Sequence, residues 1–339
     1  MSTYVVPGRT ARPGDAIQEA RDAELAGFGA VYVSERLDLK EAGAVCGAVV
    51  GATTGIRVGT ALIHQGTRHP LTIAAMAATL QSMSEGRFLL GMGRGLAALA
   101  PSLGVGKATL ASLEHTASIL RRLWAGERIS EEGPAGSFRK LRFADVPEAS
   151  PPPMYLGTIG PKGMALAGRV FDGVILHPFL TVEAVARSAA IVREAASEAG
   201  RDPQAIRIVS TLVTAPDLSE ARTDLAVRAR AVSYFQVRSL GEQLVERNGW
   251  DQSVLAGIRS HPTMAGAGIA DTAMPRDRLV DAAEAMPEEW FAQGAAIGSS
   301  SHCAQRVAAY LGAGADEVLL HGASPAESAG VVRAFTRLP

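Results

Sequence analysis

The chain has 339 residues, 47% of them hydrophobic and 20% charged, with a formal net charge of −1. That describes a globular protein with ample core, long enough for two domains or for one large barrel. The near-neutral charge excludes a nucleic-acid or membrane-surface role, and no apolar run is long enough to span a bilayer.

In chain order, short apolar strands alternate with helical segments. A strand at Thr3–Val6 leads into Pro7-Gly8-Arg9, which is no Gly-rich dinucleotide fingerprint. Asp15 and Gln18 form a D-x-x-Q capping pair ahead of a helix over Ile17–Leu25. A strand at Ala30–Val33 ends in Ser34-Glu35-Arg36, and the run Ile56–Ile63 ends in His64. Pro70 opens an alanine-rich helix that stops at Gly86; His69, held extended before the proline, reads as structural. The strand Arg87–Met92 exits through Gly93-Arg94-Gly95. Gly91-x-Gly93-x-Gly95 reads as a tight strand exit, or as bare backbone for a flat ring to lie against, and both can hold.

Residues 96–152 hold a helix (Ala108–Leu123) and a Gly/Pro-rich stretch. The strand Met154–Gly157 then runs into Thr158-Ile159-Gly160-Pro161-Lys162-Gly163, where free N–H groups at a helix start, Thr158 and Lys162 suit an anion. A strand at Gly173–Leu176 ends in His177. Thr181 caps a helix with Val185, Ala189, Val192 and Ala196 on one face, closed by Gly200 and Pro203. Ile206–Val213 is followed by a second long excursion, 239–300. Glu317–Leu320 precedes His321 and a capping box at Ser324-Pro325-Ala326-Glu327.

Eight βα units predict a single-domain (β/α)₈ TIM barrel over 1–339, with insertions at about 96–152 and 239–300, after strands four and seven; the alternative is a doubly wound open sheet. In a barrel, the residues after the strands face one mouth: Arg9, Ser34-Glu35-Arg36, His64, Arg94, Thr158, His177, Thr214 and His321. Phe138, Trp250, Trp290 and Phe291 in the excursions suggest room for a partly apolar small-molecule substrate. Only two cysteines, Cys46 and Cys303, occur, without zinc spacing; a reducing cytoplasmic setting and no metal are expected. The N-terminus lacks the basic and apolar regions of a signal peptide. No nucleophile elbow, P-loop or HExxH is present, so redox chemistry borrowed from an organic cofactor is the natural class.

The block GTALIHQGTRHPLTIAAMAATLQSMSEGRFLLGMGRG resembles the core signature of the luciferase-like flavin/deazaflavin oxidoreductases. YLGTIGPKGMALAGRVFDGVIL and AEAMPEEWFAQGAAIGSSSHCAQRVAAYLGAGADEVLL resemble the rest of that family. YVVPGR and SERLDLKEAGAVCGA are similar to its actinobacterial coenzyme F420-dependent subgroup. The resemblance implies a barrel, commonly a homodimer, that transfers a hydride between F420 and an organic substrate. It implies a cis peptide at Ala61-Leu62, a ring contact at Glu35, a phosphate loop at Thr158, Ile159 and Gly160, and a contact at His177. Arg36 matches a catalytic histidine of the sugar-phosphate dehydrogenase branch. That branch's acidic glutamate falls on Leu96 and a phosphate-binding lysine on Leu180, so its sugar-phosphate reaction is not expected. His64 is the first candidate for proton handling and Glu35 the second, with Arg94 and Arg36 placed to stabilise a developing anion. The alternatives are an FMN-dependent luciferase-like monooxygenase, a non-catalytic flavin-binding barrel, and a barrel enzyme without a redox cofactor.

Overall fold

A computed structural model describes residues 1–266 and 268–338. Its strands are β1 (Ser2–Val5), β2 (Ala30–Val33), β3 (Arg57–Thr60), β4 (Ile63–His64), β5 (Phe88–Gly93), β6 (Ile129–Gly133), β7 (Gly136–Leu141), β8 (Met154–Thr158), β9 (Gly173–Leu176), β10 (Arg207–Pro216), β11 (Ala295–Gly298) and β12 (Glu317–Gly322). The sheet runs β11-β10-β12-β1-β2-β3-β5-β8-β9, β4 adds to β5, and β9 also pairs with β10. Setting aside β4 and β11, eight strands return on themselves, which is the expected (β/α)₈ barrel. Most of these strands are buried along their whole length, as parallel strands covered on both faces must be.

Chain compactness divides the protein into two units, one of Met1–Thr3, Leu176–Ala190 and Ile208–Pro339, the other of Tyr4–Ile175 and Ile191–Arg207. In the second, β2 pairs with β3 from Ala30↔Arg57 to Val33↔Thr60, and β5 pairs with β8 from Leu90↔Met154 to Met92↔Leu156. The expected single strand 56–63 is broken. Gly59 pairs with Leu89 and Ile63 with Met92, so β3–β4 advances four residues while β5 advances three. That is a one-residue bulge. The Thr60 hydroxyl fills it, donating to Gly91 O (2.8 Å) and accepting from Gly91 N–H (2.9 Å).

The helices α1 (Asp15–Ala26), α2 (Ala42–Ala52), α3 (Pro70–Met83), α4 (Leu110–Trp124), α5 (Pro161–Val170) and α6 (Val182–Glu198) follow their strands. His69 is structural, as expected, and the structure adds that it caps α3, its Nδ1 accepting from Leu71 N–H at 3.1 Å. The capping box at Ser324 and Glu327 forms, and Thr181 caps α6. The Asp15–Gln18 box does not form. The helix already starts at Asp15, with Gly14 as N-cap, and Gln18 instead donates to Asp22. Residues 96–152 carry an antiparallel hairpin, β6–β7, absent from the sequence reading. In the other unit, β11 is also an unforeseen strand, pairing Val213–Pro216 with Ala295–Gly298. β10 and β12 run further than expected, to Pro216 and Gly322, so Thr214 and His321 are buried strand residues rather than loop residues.

One acid shows how the loops are tied to this frame. Glu24 on α1 accepts from the N–H groups of Thr54 (3.0 Å), Gly55 (2.5 Å) and Ile56 (2.9 Å), just ahead of β3. Desolvation works against its charge, but these donors and Arg87 hold the carboxyl below its ordinary value. A depressed carboxyl adds stability above its unfolded pKa, and that stability is lost as pH falls through its folded pKa. Glu24→Gln is therefore expected to cost about 1–2 kcal/mol at pH 7. The gap to wild type should close below about pH 4, as read by urea denaturation at the two pH values.

Candidate functional site

In the unit that holds β2 to β8, the end of β2, the bulge and the start of α3 meet around one carboxylate. The Glu35 side chain is only 3% exposed. It takes a bidentate pair from Arg68, with Nη1 donating to Oε2 at 2.6 Å and Nη2 donating to Oε1, and Oε2 also accepts from His64 N–H at 2.9 Å. Arg68 Nη2 reaches Glu41 as well. Glu41 caps α2 by accepting from Gly43 and Ala44. Against desolvation, those two N–H groups and Arg68 hold Glu41 below the ordinary carboxylate range. Desolvation opposes the charge of Arg68 too, but the two carboxylates raise its pKa further.

Between these groups lies the bulge. The Ala61–Leu62 peptide is cis, as the resemblance implied. Its flanks are tied down: Ala61 N–H donates to Val33 O (2.8 Å), Tyr4 Oη to Ala61 O (3.1 Å), and Glu35 N–H to Leu62 O (3.3 Å). Leu62 fills the space over two glycines. A Cβ at Gly93 would lie 2.8 Å from Leu62 Cδ1, and one at Gly157 would run into the same methyl. A Cβ at Gly95, whose φ is +66°, would run into the His64 ring. Gly93 and Gly95 thus make room for the chain's own Leu62 and His64, as the tight-exit reading of that motif requires.

His64 Nδ1 accepts from Gly66 N–H at 3.1 Å, so the neutral ring carries its proton on Nε2. Desolvation, helped by Arg68, lowers its pKa from 6.5 although Glu35 pulls the other way. At pH 7 His64 is therefore a neutral donor. Arg36 pairs with Asp38 at 3.4 Å, and Arg94 is exposed. The N-terminus of α5 follows Gly160, and no side chain caps it. Thr158 lies over its first turn, where a Cβ at Gly163 would strike the hydroxyl, and Lys162 is exposed beside it. Ser34 Oγ, at the end of β2, is buried with no hydrogen-bond partner among the described residues. An uncapped helix start and an orphaned hydroxyl fit a phosphate-bearing ring ligand.

The other unit holds His177 and His321. His177 Nδ1 donates to Pro178 O (2.9 Å), and the ring meets Tyr234 edge-on at 4.8 Å. Though partly exposed, it is crowded enough that desolvation pushes its pKa down to about 4. His321 faces Arg230 and Tyr234. The aromatics expected at a substrate mouth pack among themselves instead: Trp250 stacks on Trp290 at 4.6 Å, and Phe291 is buried. In the unit that holds β2 to β8, Phe138 is buried against His69 and His115.

Glu35, Ala61, Leu62 and His64 are thus brought together, Thr158, Ile159 and Gly160 lie at the α5 start, and His177 belongs to the other unit. Sequence reading missed Arg68, the centre of the charged cluster. The one signal for it was an arginine inside the GTRHP loop with no acid near it in sequence. Among the described residues no group of three or more His, Cys, Asp or Glu could hold a metal, and no helix is long and apolar enough to cross a membrane.

The family model described as luciferase-like monooxygenase matches residues 2–317. A 5,10-methylenetetrahydromethanopterin reductase of Methanolobus tindarius is 28% identical over 267 residues, 78% of this chain and 79% of that protein. An F420-dependent glucose-6-phosphate dehydrogenase of Nakamurella multipartita is 36% identical over 176 residues, 48% of this chain and 52% of that protein, so the match spans about half of that relative. Among solved structures, the coenzyme F420 dependent tetrahydromethanopterin reductase of Methanopyrus kandleri has a TM-score of 0.80 at 20% identity, covering 98% of this chain and 96% of that one.

Proposed function

Because the chain belongs to the luciferase-like monooxygenase family, we propose that it is an oxidoreductase that uses coenzyme F420 to exchange a hydride with a small organic substrate. The observation that carries the cofactor is the 36% identity to a relative named as F420-dependent. The uncapped α5 start and the orphaned Ser34 hydroxyl support it.

When bound, the deazaflavin supplies a hydride-carrying ring carbon. The chain's own residues do the rest. Thr158, Ile159 and Gly160 present the helix start to a phosphate. Ala61 and Leu62 offer an apolar wall, and Arg94 an exposed cation. Glu35 holds His64 N–H and Arg68, so it positions the loop 61–68. Arg36 follows Glu35 in the chain and is paired with Asp38. His64, with Nδ1 occupied by Gly66, offers Nε2–H to a substrate oxygen and stabilises charge that builds there.

Titrating the full chain with F420 and with FMN tests this. Saturable F420 binding is expected. FMN binding without F420 binding would replace the proposal with the monooxygenase reading. His64→Ala is expected to slow hydride transfer about 100-fold while F420 affinity stays within a few-fold of wild type. An unchanged rate would remove His64 from the chemistry.

A further inference from the structure

Three arginines in the segment after β10 have acids. Arg222 pairs with Glu327 at 2.9 Å, Arg228 with Asp224 at 3.1 Å and Glu288 at 2.6 Å, and Arg259 with Glu242 at 2.7 Å. Arg230 is more buried than any of them, at 2% exposure, yet among the described residues no carboxylate pairs with it. Its Nε donates to Ala226 O at 3.1 Å and its Nη1 to His321 Nε2 at 2.6 Å. A guanidinium does not give up its proton, and a buried cation without an anion is costly.

The neighbours do not supply the missing charge. Because guanidinium only donates, His321 Nε2 must accept, so His321 is neutral there. His177 donates from Nδ1 to a carbonyl and is neutral at pH 7. Neither group that Arg230 contacts, Ala226 O or His321 Nε2, carries a negative charge.

Arg230 lies in α8 (Ala229–Phe235), which follows α7 (Glu220–Thr223) and a π-helical turn at Asp224–Arg228. Wide turns of this kind recur at functional sites. Gly322, at φ +110°, lets the turn approach the end of β12, since a Cβ there would lie 3.0 Å from Ala226 O. Half-buried Tyr234 stands one turn beyond Arg230, its hydroxyl 3.2 Å from the same His321 Nε2. That nitrogen has one lone pair, already taken by Arg230 at the shorter distance. The phenolic proton is thus available to another acceptor, and edge contacts with His177 (4.8 Å) and Phe179 (6.2 Å) hold the ring in place. His177 follows β9 and His321 lies near the end of β12, the strand end at which barrel enzymes carry their sites.

We propose that Tyr234, backed by the buried guanidinium of Arg230, binds the carboxylate of a small organic acid, a site that stands independently of the hydride-transfer reading.

Isothermal titration of the full chain at pH 7 with benzoate and with its neutral isostere benzamide tests the site. Benzoate should bind about tenfold more tightly, because one charge acts at close range in a partly dry setting. Arg230→Met should abolish that preference, Arg230→Lys should restore part of it, and Tyr234→Phe should weaken benzoate about fivefold. Equal binding of the two probes by the wild type overturns the proposal. So does a preference that survives Arg230→Met in a folded protein. If Arg230→Met does not fold, unchanged benzoate affinity in Tyr234→Phe overturns it instead. Benzoate binding without F420 binding would remove the cofactor reading and leave the anion site standing; the reverse result would do the opposite.

Discussion

Replacing Arg68 with methionine is expected to destabilise the protein by about 3–5 kcal/mol, the range for removing one partner of a buried ion pair. The Glu35 carboxylate, 3% exposed, would keep only the His64 N–H from its present contacts, and Glu41 would lose its cation as well. Urea denaturation at pH 7 should show that loss. Adding Glu35→Gln should recover much of it, because the buried group left behind is then neutral. A loss under about 1 kcal/mol would mean that the pair behaves as a surface bridge.

Gly91→Ala should come next in size, at about 3 kcal/mol, the upper end of ordinary overpacking. A Cβ at 91 would run into the carbonyl oxygen of Thr60, a main-chain atom that cannot rotate away. The same shift would break both Thr60–Gly91 hydrogen bonds that close the bulge. Gly14→Ala is the control, because nothing lies within 4 Å of a Cβ there. The denaturation midpoint of G91A should drop well below that of G14A, and equal midpoints would refute the backbone clash.

Much of the fold was legible because it depends on local rules. Short β-branched runs, Pro70 after His69, and the Ser324–Glu327 pair each act within a few residues, and the structure bears them out. The misses have physical causes. The β6–β7 hairpin buries only Ile129 and Phe138, so no apolar alternation marks it. β11 is only four residues, Ala-Ala-Ile-Gly, and exists through its pairing with β10. The bulge arises from the pairing of two strands, which no single stretch of sequence displays. Arg68 finds Glu35 33 positions away, a pairing that only the folded chain displays. Arg230 sits in the apolar segment ARAVSYF, which carries no mark of a charge left without an acid.

The side chain at position 62 and the absence of side chains at 93 and 157 are one shared volume. These three positions cannot drift independently over evolutionary time. A larger residue at either glycine is tolerable only after position 62 has shrunk, and a smaller residue at 62 leaves a void until one of the glycines grows. Relatives that differ here should differ as a set, so the spacing of these glycines records the size of a leucine as much as the presence of a ligand.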